Sequence, residues 1–151
     1  MITEFKKQYR FLSNFYFSPF VLGYKGYKIS YPTVEHYYQS QKAADRDETI
    51  RILNCKTPGE AKRIGRRVRL ISVWDEVKDL VMETGVKAKF NQNLDLQKKL
   101  LETKDALLTE GNYWHDNYWG DCFCSKCSKI KGQNILGKLL MKIRKQIMKG
   151  E

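Results

Sequence analysis

The chain has 151 residues, of which 42% are hydrophobic and 30% charged, and its formal net charge is +11. This length fits one domain with a substantial core, and the composition excludes a wholly disordered chain. No apolar run approaches the ~18 residues of a membrane span, and the N-terminus lacks the apolar stretch of a signal peptide. We therefore expect a cytoplasmic protein without a membrane partner, folded as a single domain over residues 1–151. The charge leaves open a nucleic-acid partner, a small phosphorylated substrate or solvated basic helix faces.

The first half of the chain predicts one β-hairpin and three short helices. The hairpin lies in PFVLGYKGYKIS, and its strands pair across a turn between Gly23 and Gly26. Each helix follows a polar capping residue or a capping box. The three helices are predicted from Val34 to about Ala44 behind Thr33, over 47–54, and over 58–67 behind TPGE.

The second half predicts longer helices and one long irregular segment. Ser72 is expected to begin a helix that continues through Phe90, and NLDLQKKLLET predicts another. ALLTEG (106–111) predicts a short strand, and residues 112–132 an irregular segment of a length that tends to be functional. The last segment, NILGKLLMKIRKQIM, predicts an amphipathic helix. Its inward positions are Ile135, Leu139, Leu140, Ile143 and Ile147. The predicted fold class is α+β, mostly helical, with a small antiparallel sheet.

The helix YPTVEHYYQSQKA has few aliphatic residues and many polar ones. Glu35 and Lys42 are two turns apart, about 10.5 Å along the axis, and fall on nearly the same face. A sugar or a base lying across that face would touch both groups. A solvent-exposed Glu and Lys are the alternative, but no aliphatic stripe is left for the core, which favours a buried polar helix.

Five segments in order resemble the NADAR family of YbiA-like N-glycosidases, and the resemblance covers nearly the whole chain. They are FLSNFYFSPF, YPTVEHYYQSQKA, WDEVKDLVMETGVKAKFNQN, DNYWGD and GQNILGKLLMKIR. The resemblance implies a mostly helical α+β domain that hydrolyses N-glycosidic bonds. It implies two substrate types, phosphorylated ribosylamino-pyrimidine intermediates of riboflavin synthesis and ADP-ribose on modified guanine bases in nucleic acid. In both, the ribose carbon is attached to an exocyclic amine.

Such chemistry needs a proton donor and, in a covalent route, an unprotonated lysine. We expect Glu35 to transfer protons and Lys42 to attack the sugar as a Schiff-base nucleophile. Burial or nearby cations must lower the pKa of Lys42, and Arg10, Lys87 and Lys89 are the suggested neighbours. The competing route has Glu35 activate water directly. Neither route needs a cofactor.

Further residues are predicted to bind the substrate through hydrogen bonds, stacking or phosphate contacts, with ordinary structural roles as the alternative. The first helical amides after Asn134 are expected to suit a phosphate. The predicted substrate-binding residues are Arg10, Ser13, Asn14, Phe15, Tyr38, Trp74, Lys78, Lys87, Asp116, Tyr118, Trp119, Gly120 and Asn134.

The cysteines allow two interpretations. Cys122, Cys124 and Cys127 have the residue types of a zinc site, with His115 or Cys55 as fourth ligand, but the spacing C-x-C-x2-C is not the usual one. Reduced cysteines without metal are the favoured interpretation. A different class of protein also stays open: a basic, non-catalytic module that binds single-stranded nucleic acid and carries a zinc knuckle. The sequence does not determine the oligomeric state.

Overall fold

The computed structural model describes all residues, 1–151. Two compact units are distinguishable: residues 14–94 form one, and residues 1–13 together with 95–151 form the other. The prediction of a single domain over residues 1–151 stays a prediction. The predicted fold class is confirmed, because the secondary structure is mostly helical with a two-stranded antiparallel sheet. None of the six α-helices combines the length and the apolar character that crossing a membrane would require.

The hairpin of the unit 14–94 forms as predicted. Strands β1 (Phe20–Tyr24) and β2 (Tyr27–Tyr31) pair antiparallel, with Phe20 opposite Tyr31. The turn residues Lys25 and Gly26 both have positive φ, 47° and 84°. This left-handed pair matches the twist of the flanking strands, and it explains why the second turn residue is glycine.

Four helices complete this unit, each starting within two residues of its predicted position. Helix α1 packs against α2, α3 and α4 and is therefore its central element. The helices are α1 (Val34–Lys42), α2 (Arg46–Leu53), α3 (Pro58–Gly65) and α4 (Trp74–Gln92). The predicted start of α4 at Ser72 was wrong: the helix begins at Trp74, and no side chain caps it.

The apolar core of this unit surrounds α1. Ala43, Ile52, Ala61 and Val68 form a buried cluster where α1, α2 and α3 meet. Helix α4 also approaches α1 so closely that a Cβ on Gly85 would lie 2.5 Å from the Tyr37 ring. A polar helix is thus enclosed by apolar neighbours, which explains its scarcity of aliphatic residues.

The unit built from both chain ends contains two helices and short strands. Its 3₁₀ helices span Lys7–Leu12 and Ser125–Cys127, its helices are α5 (Leu94–Glu102) and α6 (Ile135–Lys149), and its parallel strands are β3 (Gly111–Asn112) and β4 (Asp121–Cys122). The predicted strand over 106–111 was wrong. That segment makes only an isolated bridge from Leu108 to Ile2, and β3 starts at its last residue.

The inward face of α6 follows the prediction in part. Leu139, Leu140 and Ile143 are buried, whereas Ile135 and Ile147 are half-buried. The burial of Arg144 was not foreseen. Its guanidinium donates to Thr103 Oγ1 at 2.6 Å and to the Ala106 carbonyl at 3.0 Å, so the charged group is anchored to the chain that directly follows α5.

Candidate active site

Helix α1 is held by polar contacts at its N-terminus. Thr33 Oγ1 accepts from the backbone N–H of His36 at 3.1 Å, which makes Thr33 the predicted cap. The buried His36 ring links Thr33 Oγ1 and the Cys55 carbonyl, at 2.8 and 2.9 Å. His36 therefore has a structural role: it fixes the helix that carries Glu35 and Lys42.

Glu35 is a buried carboxylic acid. Its side chain is almost fully enclosed, and Gln39 Nε2 donates to Glu35 Oε1 at 2.7 Å. Burial raises the pKa of Glu35 above its ordinary value, because the charged form loses its hydration; the Gln39 hydrogen bond and the charges of Lys62, Lys42 and Arg66 oppose that shift only partly. A raised pKa keeps more of the carboxyl protonated at a given pH, and the protonated form is the one that donates.

Lys42 is half-buried at the other end of α1. Burial lowers the pKa of its amine, the charge of Glu35 raises it, and Arg66 and Lys62 lower it further. A lowered pKa increases the fraction of neutral amine, which is the nucleophilic form. Glu35 and Lys42 each appear among the charges that shift the other, so they share one electrostatic environment.

The cations that act on Lys42 differ from those suggested by the sequence. They are Lys62 of α3 and Arg66 at the end of that helix. The suggestion of Arg10, Lys87 and Lys89 for this role was wrong. Lys89 is instead fully buried, with its amine 5.2 Å from the ring centre of Phe90.

Gln39 and Gly65 are site residues that sequence reasoning missed. Gln39 lies one turn after Glu35, and its Oε1 is buried without a hydrogen-bond partner. A Cβ on Gly65 would lie 2.0 Å from that oxygen, so only glycine lets α3 approach α1 closely enough. The i, i+4 spacing of Glu35 and Gln39 was a readable signal. The contact with Gly65 joins distant parts of the chain and had no local signal.

Three predicted aromatic residues, Phe15, Tyr38 and Trp74, belong to the same unit. Phe15 is 41% exposed, and the Lys62 amine lies 5.5 Å from its ring centre. Tyr38 and Trp74 are both buried, with ring centres 5.1 Å apart. Of these three, Phe15 therefore has the most ring surface available for stacking on a base.

The remaining predicted residues of this unit differ in their surroundings. Asn14 is buried. Its backbone carbonyl accepts from the Glu35 N–H at 3.1 Å, and its side-chain Nδ2 donates to Met82 Sδ at 3.3 Å. Asn14 thus adjoins the candidate acid. Lys78 is half-buried and pairs with Asp75 at 3.4 Å, and Lys87 is half-buried.

In the other unit, the predicted residues of DNYWGD stabilise a loop. Asp116 Oδ1 accepts from the N–H groups of Tyr118 and Trp119, at 3.1 and 2.9 Å. The two aromatic rings lie edge to face, with centres 5.0 Å apart. Gly120 is required sterically, because a Cβ there would lie 2.1 Å from the Glu110 carbonyl oxygen. These contacts define the loop; a role in substrate binding stays a prediction.

Asn134 links the start of α6 to the backbone of residues 108–110 in the same unit. Its Nδ2 donates to the Leu108 carbonyl at 2.9 Å, and its Oδ1 accepts from the Glu110 N–H at 3.0 Å. Its left-handed φ of 51° suits asparagine.

The first amides of α6 do not match the expected phosphate site. Those of Ile135 and Leu136 donate to the carbonyls of Tyr118 and Trp119, at 3.1 and 3.0 Å. The first amides of α6 therefore hold the loop that contains Tyr118 and Trp119.

Arg10 and Ser13, two further predicted binding residues, lie near the start of the chain. Arg10 is exposed, and its backbone carbonyl accepts from the N–H of the half-buried Ser13 at 3.0 Å.

A cleft of about 940 Å³ opens on the unit 14–94. Tyr24, Tyr27 and Tyr31 of the hairpin contribute to its wall, together with Gln41 and Arg46. Neither Glu35 nor Lys42 lines this cleft. The acid–amine pair and the cleft are therefore separate features.

Comparisons with known proteins identify the family of this chain. The sequence profile of the NADAR domain matches residues 2–148, and the chain belongs to this family. N-glycosidase YbiA of Escherichia coli is 38% identical over 124 residues, covering 78% of this chain and 71% of that protein. An N-glycosidase of Nostoc punctiforme is 41% identical over 124 residues, covering 76% and 73%. The NMR structure of E. coli YbiA superposes with a TM-score of 0.82 at 35% identity, over 99% of this chain and 84% of that one.

These findings confirm the resemblance to the family. They also confirm the expected class of protein, an enzyme of the N-glycosidase type, since the curated relatives carry that name. One further relative, a maize chloroplast protein named for riboflavin biosynthesis, is 35% identical over 132 residues, covering 80% of this chain and 20% of that protein. The alternative of a non-catalytic nucleic-acid-binding module receives no support from these names.

Proposed function

We propose that this enzyme hydrolyses the bond between C1 of a phosphorylated ribose and an exocyclic amine, with Glu35 as acid and base and Lys42 as nucleophile. The observation that carries the proposal is the pair itself: on one helix, burial raises the pKa of a carboxyl and lowers that of an amine. Shifts in these directions increase the protonated fraction of the carboxyl and the neutral fraction of the amine at a given pH, which are the forms that a proton donor and a nucleophile need.

The reaction balances in three steps. The protonated Glu35 donates to the ribose ring oxygen while the lone pair of the exocyclic nitrogen opens the ring, which leaves an iminium at C1. The neutral Lys42 amine adds to that carbon, a proton passes to the exocyclic nitrogen, and the base departs with its amine, leaving a Lys42 Schiff base. Water adds to the Schiff base and lysine leaves, so that one water is consumed and free sugar and free amine are formed.

Gln39 has a defined part in this scheme. Its Nε2 orients the Glu35 carboxyl, and its buried Oε1 has no partner within the protein. Gln39 is thus a positioning residue for the acid.

The charges beside the pair favour an anionic substrate. Lys62 and Arg66 act on both Glu35 and Lys42, so a phosphate near C1 of the sugar would meet cations in addition to Lys42. The two candidate substrates are a phosphorylated ribosylamino-pyrimidine of riboflavin synthesis and ADP-ribose on a guanine base. The maize relative's name supports the first; the net charge of +11 supports a polyanion such as the second.

A side-by-side hydrolysis assay tests the proposal. Wild type, Glu35→Gln and Lys42→Ala are incubated with each substrate type, and release of the free base is followed by chromatography. We expect both variants to lose most activity, whereas Glu76→Gln and Lys28→Ala, which alter exposed residues of the same unit, keep it. Turnover of neither substrate by wild type would refute the substrate assignment.

Borohydride trapping separates the covalent route from direct attack by water. Reduction during turnover should fix the sugar on Lys42, detectable by peptide mass spectrometry, and Lys42→Arg should neither form the adduct nor recover activity. Full activity with no adduct would assign Glu35 the task of activating water and remove the nucleophilic role from Lys42.

A further inference from the structure

The irregular segment between β3 and α6 brings four metal-binding side chains together. They are His115, Cys122, Cys124 and Cys127, and one ligand atom from each lies within 4.8 Å of all the others. Their spacing is H-x6-C-x-C-x2-C. Cys55, the other candidate for fourth ligand, is not in the group; its thiol donates to the Arg51 carbonyl in the unit 14–94. The fourth position is thereby assigned to His115.

The distances suit a tetrahedral metal centre. His115 Nδ1 lies 3.3 Å from Cys124 Sγ and 3.4 Å from Cys127 Sγ. With zinc about 2.3 Å from sulfur and about 2.0 Å from nitrogen, tetrahedral angles place a nitrogen and a sulfur about 3.5 Å apart. Cys124 directly precedes the 3₁₀ turn Ser125–Cys127 and Cys127 ends it, so one short turn joins two of the ligands.

Two N–H groups are directed at the sulfurs. The His115 backbone N–H donates to Cys122 Sγ, and Asn117 Nδ2 donates to Cys127 Sγ, both at 3.3 Å. Asn117 also accepts from the Cys122 N–H at 2.9 Å. N–H donors of this kind stabilise thiolate ligands and orient them around a metal. His115 itself has a φ of 69°, a strained conformation for histidine, at the point where its ring reaches the sulfurs.

The surroundings of the cluster explain why such a site would be needed. Cys122 and Cys127 are buried, but Tyr113, Trp114 and Phe123 next to them are 43–56% exposed. The segment thus buries little apolar surface for its length, and a metal supplies folding free energy where a core cannot.

We propose that His115, Cys122, Cys124 and Cys127 bind one Zn²⁺ as a structural site. Three thiolates and an imidazole in tetrahedral array are a donor set that zinc prefers, and four protein ligands leave no open position for catalysis. Residues 116–121, which contain the predicted substrate-binding loop, lie between the first and second ligands. The metal would close this loop and hold Trp119 and Gly120 in place.

Metal analysis of the full chain tests the site. Protein expressed with added zinc and purified under reducing conditions should contain about one zinc per chain by mass spectrometry of the metal. His115→Ala and Cys127→Ser should lose it, whereas Cys55→Ser, which removes the cysteine outside the cluster, should keep it. Asn117→Ala should weaken zinc binding by about 10- to 100-fold, as measured with a competing chelator.

Cobalt substitution keeps the proposal testable if a variant fails to fold. Wild type loaded with Co²⁺ should show the visible bands of a tetrahedral ion and a thiolate-to-metal charge-transfer band. His115→Cys should still bind Co²⁺, with the bands displaced because sulfur replaces nitrogen. Wild type that binds neither Zn²⁺ nor Co²⁺, that contains another metal instead, or whose mass shows a disulfide among these cysteines, would overturn the assignment.

Discussion

Replacing Gly65 by alanine tests whether the contact between α3 and α1 positions Glu35, the proposed catalytic acid. The new Cβ would lie 2.0 Å from Gln39 Oε1 and 2.7 Å from its Cδ. Neither distance is tolerable, so the Gln39 amide must rotate away. The same amide donates to Glu35 at 2.7 Å. A methyl group on one helix is therefore expected to break a hydrogen bond within another.

The magnitude follows from three opposing effects. Taken separately, overpacking a closed site costs about 1–3 kcal/mol, and losing a hydrogen bond to a carboxyl costs about 1.5–3 kcal/mol. Alanine within a helix gains about 0.5–1 kcal/mol over glycine. Because rotation of Gln39 relieves part of the clash, we expect a net loss of about 2–4 kcal/mol in the free energy of unfolding. This corresponds to a melting temperature lower by roughly 5–15 °C.

Urea denaturation of five proteins measures this effect: wild type, Gly65→Ala, Gly59→Ala, Gln39→Ala and the double variant Gln39→Ala/Gly65→Ala. Gly59→Ala is the matched control, because it lies in the same helix and its Cβ would be 4.0 Å from its nearest neighbour, Thr57 Oγ1. It should be neutral or slightly stabilising. In a Gln39→Ala background the Gly65→Ala cost should fall by at least ~1 kcal/mol, since only the contact with the Gln39 Cβ, at 3.1 Å, remains.

The activity of Gly65→Ala carries a second consequence. Loss of the Gln39 donor removes an influence that lowers the pKa of Glu35, so that pKa should rise further. The limb of the pH–rate profile that reports Glu35 should move to higher pH. Equal destabilisation by Gly65→Ala with and without the Gln39 side chain, or an unchanged profile, would refute the role assigned to this contact.

Three other variants should behave as follows. Because folding raises the pKa of Glu35, the free energy of unfolding is highest below the unfolded pKa of 4.5 and falls as pH rises from there to the folded pKa. Glu35→Gln should remove this fall, which adds about 1.4 kcal/mol of stability at neutral pH for each unit by which folding raises the pKa. Urea titrations across pH measure the change, and the variant should lack activity. Arg66→Ala should move both limbs of the pH–rate profile to higher pH, because Arg66 lowers the pKa of Glu35 and of Lys42. Arg67→Ala should leave the profile unchanged, and added salt should reduce the difference between the Arg66→Ala and wild-type profiles. Asn134→Ala should lower the free energy of unfolding by about 2–4 kcal/mol, measured by thermal melting, because two backbone groups lose their partner.

The sequence predicted features that depend on neighbouring residues. The Thr33 cap, the hairpin turn and the amphipathic α6 follow from local chemistry, and all were recovered within a few residues. Ser72 failed as a cap because the chain forms a turn first, in which the Trp74 N–H donates to the Ile71 carbonyl. A capping residue near the start of a helical pattern does not reveal how many residues precede the first helical turn.

Contacts between residues far apart in the chain could not be predicted from local sequence patterns. Nothing in KRIGRR distinguishes Gly65 as the residue that admits Gln39. The cations that act on Lys42 were expected at Arg10, Lys87 and Lys89, although they are Lys62 and Arg66, in α3 and directly after it. The same limit left His115 and Cys55 as equal candidates for the fourth position of the cysteine cluster. In each case the missing information was which surface of one helix or loop faces another.

The properties expected of Glu35 and Lys42 arise from the enclosure of α1 more than from their own spacing. A carboxyl and an amine two turns apart on a solvated helix would keep ordinary pKa values. Here three helices cover α1, His36 and Thr33 fix its start, and Gly65 brings α3 against Gln39. Desolvation is the largest influence on both pKa values. Because it disfavours charge on each group, it raises one pKa and lowers the other, and a single structural cause thereby favours both the acid and the nucleophile that we propose.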